Sequence, residues 1–163
     1  MSEKVKNALL WVKDILDSQL VQYQIVGGLA VNIHGGSRQV ADIDLYIQRS
    51  DANKILPLVT AYISKPLTHY VEGAWDLEYF QLVYQTQKIE IGLSPGTKIR
   101  AADSEVWREL PTDFSRSVKG NYMGVEVPTI PVDELVRYKR VLGREVDLID
   151  IEELTGGSAS TST

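Results

Sequence analysis

The sequence predicts an α/β (α+β) fold, with helices packed mainly on one face of a single mixed, twisted sheet. Segments with helical periodicity alternate along the chain with short runs of apolar or alternating residues that are typical of strands. The 163 residues are the length of one ordinary domain, and 44% of them are hydrophobic, which suffices for one core. Interleaved strands and helices of this kind favour a sheet with one covered face and one face open enough to form a site.

The first half of the chain predicts three helices and two strands. Apolar residues recur at helical spacing across the first twenty residues, which predicts an amphipathic helix. The strand YQIV then ends at the pair Gly27 and Gly28, where the short helix LAVNIH begins. The strand VADIDLYI follows, and ANKILPLVTAYI predicts the third helix. Because side chains two apart on a strand share a face, Asp42 and Asp44 project together.

The second half predicts a hairpin, a further strand and more helices. DLEYFQLVY and KIEIGL are two strands joined by a tight turn. A short helix is expected over residues 102–110, a last strand at GNYMGVEVPTI, and helices at PVDELVRYKRVL and REVDLIDIEEL. We expect residues 1–154 to form one domain and the polar, low-complexity residues 155–163 to be a disordered tail.

Composition excludes several classes of function. The chain has no cysteine, which excludes disulfides, zinc–cysteine sites and thiol catalysis and fits a reducing cytoplasm, the location we expect. No apolar run is long enough to span a bilayer, and the N-terminus lacks the basic and apolar blocks of a signal peptide. The net charge of −5 argues against duplex DNA as a partner, because a basic footprint is missing.

Three acidic side chains form the candidate catalytic and metal site. Asp42 and Asp44 repel each other unless a cation lies between them, and oxygen ligands of this kind suit Mg²⁺ or Mn²⁺. Glu90 alternates with apolar residues in KIEIGL, and it joins the aspartates if its strand lies beside theirs in register. The alternative interpretation is a pair of solvated aspartates and an exposed strand glutamate.

Glycines and an arginine between the first two strands form the candidate phosphate site. Gly27 and Gly28 have no side chains, so their backbone N–H groups can approach an anion at the start of a helix. Arg38, in the loop GGSRQ, could clamp a phosphate with its planar set of donors. The alternatives are a tight turn without a ligand and an exposed loop arginine. For His34 we expect a structural hydrogen bond, and for Arg144 and Asp147 a helix salt bridge.

These motifs resemble those of a known superfamily. V-G-G at 26–28, thirteen intervening residues and then D-I-D-L at 42–45 resemble the signature of the nucleotidyltransferases related to DNA polymerase β. VGGLAVNIHGGSRQVADIDLYI is similar to the stand-alone bacterial and archaeal members, which include the AbiEii-type toxins and the lincosamide nucleotidyltransferases. PTIPVDELVRYKRVLGREVDLIDIEEL also resembles the end of such domains. The resemblance covers most of residues 20–154.

The resemblance implies transfer of a nucleoside monophosphate from a nucleoside triphosphate to an acceptor hydroxyl, with release of pyrophosphate. It implies that three catalytic carboxylates hold Mg²⁺ or Mn²⁺: Asp42, Asp44 and Glu90. It also implies that two glycines and two basic residues hold the nucleotide: Gly27, Gly28, Arg38 and Lys139. Many members carry aspartate as the third carboxylate, so Glu90 departs from the pattern. The acceptor stays open among a small molecule, a tRNA end and a protein side chain.

Two other functions fit the same residues. One is a non-catalytic nucleotide-binding or toxin–antitoxin partner module, and the other is a metal-dependent phosphohydrolase. The chain is too short for the extra helical domain with which many nucleotidyltransferases hold their acceptor. This favours a homodimer or a small helical partner protein.

Overall fold

The computed structural model describes residues 2–101 and 103–156. The helices within these ranges are α1 (Ser2–Ser18), α2 (Gly27–Ile33), α3 (Ala52–Val59), α4 (Val132–Leu142) and α5 (Glu145–Leu154). The strands are β1 (Tyr23–Val26), β2 (Ile43–Gln48), β3 (Ile63–Glu72), β4 (Trp75–Tyr84), β5 (Gln87–Ser94), β6 (Lys98–Ile99), β7 (Arg108–Glu109), β8 (Val118–Tyr122) and β9 (Val125–Thr129). No helix among the described residues is long and apolar enough to cross a bilayer.

All nine of these strands belong to one mixed sheet. Its order is β7-β6-β4-β5-β2-β1-β9-β8, and β3 pairs with the remaining edge of β4. The pairs β2–β5 and β1–β9 are parallel, whereas the hairpins β3–β4, β4–β5 and β8–β9 are antiparallel. The predicted fold class, a mixed α/β sheet with helices, is confirmed.

The apolar core sets the register that positions the site. The buried side of α1, which includes Leu9 and Leu16, packs against β5, β9 and α3. Alternate residues of β2 and β5 point into this core, among them Leu45 and Ile91, so their neighbours point to the opposite face. A slip of one residue would bury carboxylates and expose a whole apolar row, and each large apolar side chain contributes about 1.5–3 kcal/mol by its burial. The core therefore strongly specifies the register.

The structure corrects three expectations in the second half. The helix expected over residues 102–110 is wrong: residues 103–107 form a turn and irregular chain before β7, and Val106 is 64% exposed, so no apolar helix face is buried there. The strand expected at GNYMGVEVPTI is a hairpin, because Met123 and Gly124 both adopt positive φ and reverse the chain between β8 and β9. β3 was not predicted, because it is an edge strand whose side chains are largely exposed.

The predicted polar tail lies almost wholly outside the described residues. Thr155 and Gly156 form a turn after α5, and residues 157–163 lie outside the described part of the chain. The disordered tail therefore stays a prediction, as does the boundary at residue 154.

Candidate functional site

A row of polar side chains crosses three strands on the face opposite the α1 core. The parallel register of β2 and β5 places Asp44 beside Glu90, and the antiparallel register of β4 and β5 places Gln81 on the other side of Glu90. Asp42 lies in the bend before β2 and lines the same cavity. The structure thus brings Asp44 and Glu90 together, with Asp42 close by.

The charge of this row is not compensated by basic side chains in direct contact. Burial and the neighbouring charges of Glu90 and Asp42 raise the pKa of Asp44 to about 8. A hydrogen bond between the Asp44 and Glu90 carboxyl groups acts in the same direction, and the charge of Lys139 opposes it. Within the described chain none of the three carboxylates forms a salt bridge. Two touching carboxyl groups can share a proton or a cation, but they cannot both be charged cheaply.

The donor set fits a hard divalent cation, although the three ligands are not yet gathered. Carboxylate oxygens are the ligands that Mg²⁺ prefers, and a cation would remove the repulsion between Asp44 and Glu90. Across the residues that the structure describes, no group of three acidic or histidine side chains is already arranged to hold a metal. The three side chains would therefore have to draw closer together on metal binding.

Gln81 holds Glu90 in place. The Gln81 side-chain nitrogen donates to Glu90 Oε2 at 2.7 Å, and its oxygen accepts from Ser64 Oγ at 2.8 Å. Because an ionised carboxylate only accepts, the amide nitrogen faces Glu90, and the bond from Ser64 holds the amide oxygen on the other side. Sequence analysis missed Gln81, since its position becomes meaningful only when the pairing of β4 with β5 is known.

The two glycines have different roles. Gly27 has φ +65°, and a Cβ atom there would lie 2.5 Å from Asp44 Oδ2, so both the backbone conformation and the close approach require glycine. Its N–H donates to the Tyr138 hydroxyl at 3.0 Å. The sequence predicted that this N–H would be open to a ligand, whereas in the structure it is already bonded. A Cβ at Gly28 would lie 3.8 Å from Arg38 Nη1, so the guanidinium covers Gly28 at ordinary contact distance.

Three cations and two buried aspartates form what we call the ion-pair network. Its members are Arg38, Lys139, Arg144, Asp147 and Asp150. Asp150 accepts from Arg38 Nη2 at 2.6 Å and lies 3.1 Å from Lys139 Nζ. Asp147 accepts from Lys139 at 3.3 Å and from Arg144 Nε at 2.6 Å. Both aspartate side chains are fully buried on α5. The network ties α4, α5 and the loop after α2 together.

The network also places its cations at the cavity. Burial disfavours ionisation of Asp147, but hydrogen bonds from Arg144 and the charge of Lys139 hold its pKa below the ordinary value. The predicted Arg144–Asp147 salt bridge is confirmed, and Arg144 also lines the cavity, which sequence analysis did not anticipate. Lys139 is almost fully buried between both aspartates, whereas Arg38 keeps Nη1 free of partners within the described chain.

Asp42, Asp44 and Glu90 line one cavity of about 540 Å³ together with the cations of the ion-pair network. Its remaining wall is largely apolar and aromatic and comes from β4 and the segment before β8, with Trp75, Leu77, Tyr79, Leu110 and Pro111. A cavity of this size accommodates a small-molecule ligand. His34 stays outside this set: its ring nitrogen bonds the Ile130 carbonyl at 2.7 Å, which confirms the predicted structural role.

Comparison with known proteins identifies the fold. No protein-family model matches the chain, and no curated protein sequence does either. Among solved structures, the chain is similar to a proposed nucleotidyltransferase from Thermotoga maritima, with a TM-score of 0.64 and 20% identity over 93% of this chain and 94% of that one. The chain has a nucleotidyltransferase fold.

Two antibiotic-related structures share this nucleotidyltransferase fold. The lincosamide antibiotic adenylyltransferase LnuA, with lincomycin bound, matches with a TM-score of 0.60 and 15% identity over 90% of this chain and 94% of that one. ANT(2″)-Ia in complex with adenylyl-2″-tobramycin matches with a TM-score of 0.57 and 14% identity over 95% of this chain and 88% of that one. Each match therefore covers nearly the whole of this chain.

Proposed function

We propose that the protein transfers a nucleoside monophosphate from a nucleoside triphosphate to an acceptor hydroxyl and releases pyrophosphate. The observation that carries this proposal is that the uncompensated Asp44–Glu90 pair and a network of cations line one cavity. Carboxylates and cations around one cavity suit a ligand that combines polyphosphate with a divalent cation. The adenylyltransferases that share the fold support the same reaction type.

In the proposed mechanism, the chain binds the nucleotide and positions the reacting atoms. Asp42, Asp44 and Glu90 would hold Mg²⁺ or Mn²⁺, which when bound neutralises charge on phosphate oxygens. Arg38 would contact the phosphates through its free Nη1, which lies beside Gly28. Lys139 would contribute positive potential from within the network rather than through a contact of its own.

Glu90 would accept the proton of the acceptor hydroxyl while that oxygen attacks the α-phosphorus. The bond from the α-phosphorus to the bridging oxygen breaks, and the electron pair leaves with pyrophosphate. Gln81 keeps Glu90 oriented towards Asp44 during this step. The apolar wall from β4 fits the ring or carbon skeleton of a small-molecule acceptor, the acceptor class that we favour.

A labelling experiment tests the reaction. The full chain is incubated with Mg²⁺, each of the four ribonucleoside triphosphates labelled at the α- or γ-phosphate, and a panel of polyhydroxylated small molecules. We expect α-label on an acceptor and γ-label in pyrophosphate. Free labelled monophosphate or inorganic phosphate without an adduct would instead indicate hydrolysis, and the absence of Mg²⁺-dependent nucleotide binding by calorimetry would overturn the proposal.

A further inference from the structure

We propose that the Tyr138 hydroxyl is a phosphate-binding donor of this cavity, in the place where the sequence predicted the Gly27 N–H. The inference rests on the proposed function, since it names a group that would hold the polyphosphate of the nucleotide. It assigns a binding role to a residue of α4 that lies 111 positions along the chain from Gly27.

Tyr138 is a buried polar group with an unused proton. The residue is only 5% exposed and lines the cavity, and its oxygen accepts the Gly27 N–H at 3.0 Å. A phenol has one proton to donate, and no acceptor for it exists among the residues that the structure describes. An unsatisfied buried donor costs about 1–3 kcal/mol, so the group is expected to have a partner in the functional state. The cavity is the side from which such a partner can come.

The cationic side chain beside the glycine pair favours a phosphate oxygen as the partner. Gly28 follows Gly27 directly, and the Arg38 guanidinium lies over it with Nη1 unpaired within the described chain. Two donors, one of them cationic, therefore lie beside the glycine pair. Burial raises the pKa of Tyr138, so the hydroxyl keeps its proton and remains a donor for an anion.

The competing interpretation is that the hydroxyl exists only to satisfy the Gly27 N–H. The two interpretations give opposite results for Tyr138→Phe. If Tyr138 binds phosphate, the variant loses a ligand contact. If Tyr138 only covers the backbone N–H, the variant frees that N–H for the phosphate, and binding stays equal or becomes tighter. The ring should keep its place, because it packs edge-on against Trp75 with centroids 6.3 Å apart.

Calorimetry of the full chain with Mg²⁺ distinguishes the two cases, with inorganic tripolyphosphate and the four nucleoside triphosphates as probes. We expect Tyr138→Phe to weaken binding of tripolyphosphate and of the preferred nucleotide about tenfold, the effect of one lost hydrogen bond to a charged group. Tyr46→Phe is the matched control: this buried tyrosine lines the same cavity, but it lies on β2 opposite Gln24 and Gly92 rather than at the Gly27 N–H. We expect it to change binding less than twofold.

Equal or tighter binding by Tyr138→Phe would overturn the inference and leave the proposed function intact. No binding of any nucleotide by the unaltered protein would instead remove the proposed function. If Tyr138→Phe does not fold, a ring-fluorinated tyrosine at position 138 gives the same decision, because it is a better donor and a poorer acceptor. Tighter tripolyphosphate binding would then support the inference, and unchanged or weaker binding would overturn it.

Discussion

Two pairs of acidic residues, one lining the cavity and one buried beside it, have opposite electrostatic surroundings. Asp44 and Glu90 touch each other on the open sheet face and have no basic partner in direct contact within the described chain, and the pKa of Asp44 is raised. Asp147 and Asp150 are more deeply buried, yet three cations surround them and the pKa of Asp147 is lowered. Burial opposes ionisation in both pairs, and the cations around Asp147 reverse its effect there.

This difference separates stability from function. Removing one partner from a satisfied buried ion pair leaves an uncompensated charge and is costly. Removing one carboxyl from a repelling pair relieves the fold but deletes a ligand for a cation. We therefore expect variants of Asp150 to lose stability first and variants of Asp44 to lose activity first.

Asp44→Asn should lower the rate of nucleotidyl transfer about 10³-fold, the upper range for loss of one electrostatic contact to a transition state. The metal-free variant should resist urea at least as well as the unaltered protein, because the like-charge contact with Glu90 is gone. Steady-state transfer rates and urea unfolding in the presence of a chelator measure the two effects. Asp76→Asn, on the same sheet but outside the cavity lining, is the control, and an equal loss of activity there would contradict the assignment.

Asp150→Asn should destabilise the fold by about 3 kcal/mol, because Arg38 and Lys139 lose a shared, fully buried partner. Urea denaturation measures the change in the free energy of unfolding. The matched control is Asp133→Asn on α4, whose exposed salt bridges to Arg116 and Arg137 should contribute less than about 1 kcal/mol. Similar losses for the two variants would show that the network has no special weight in stability.

Gln81→Leu should weaken Mg²⁺ binding in the presence of nucleotide about 10-fold to 100-fold, the usual cost of losing a hydrogen bond that orients a metal ligand. The Mg²⁺ dependence of the transfer rate measures this effect. Ser64→Ala removes the bond that orients the Gln81 amide and should give a smaller shift in the same direction. A lower maximal rate with unchanged Mg²⁺ dependence would contradict the positioning role.

Gly28→Ala should weaken nucleotide binding several-fold without loss of stability. Alanine fits beside Arg38 at ordinary contact distance and favours a helix over glycine by up to about 1 kcal/mol, but its methyl group would narrow the approach of a phosphate to Arg38 Nη1. Calorimetry and thermal unfolding measure the two changes. Gly27→Ala should differ, with clear destabilisation, because φ is positive and Asp44 is in the way.

Features of this protein that depend on interactions between neighbouring residues could be predicted from its sequence, and features that depend on contacts between different elements could not. The β4–β5 hairpin and α1 were predicted because apolar periodicity and turn residues act locally. The same reasoning failed at residues 103–110, where polar and apolar residues have no consistent period and short edge strands form by pairing with distant partners. Gln81 and Tyr138 carried no local signal, since each acquires its meaning from a residue on another element.

The fold class, the aspartate motif and the glycine motif could be predicted from the sequence alone, because strand alternation and glycine geometry are properties of a few consecutive residues. Three features could be seen only in the tertiary structure: Glu90 lies beside Asp44, the Gly27 N–H is bonded to Tyr138, and α5 holds the cations at the cavity. These outcomes depend on strand register and helix docking. Both are set by burial of the whole apolar core rather than by any segment alone.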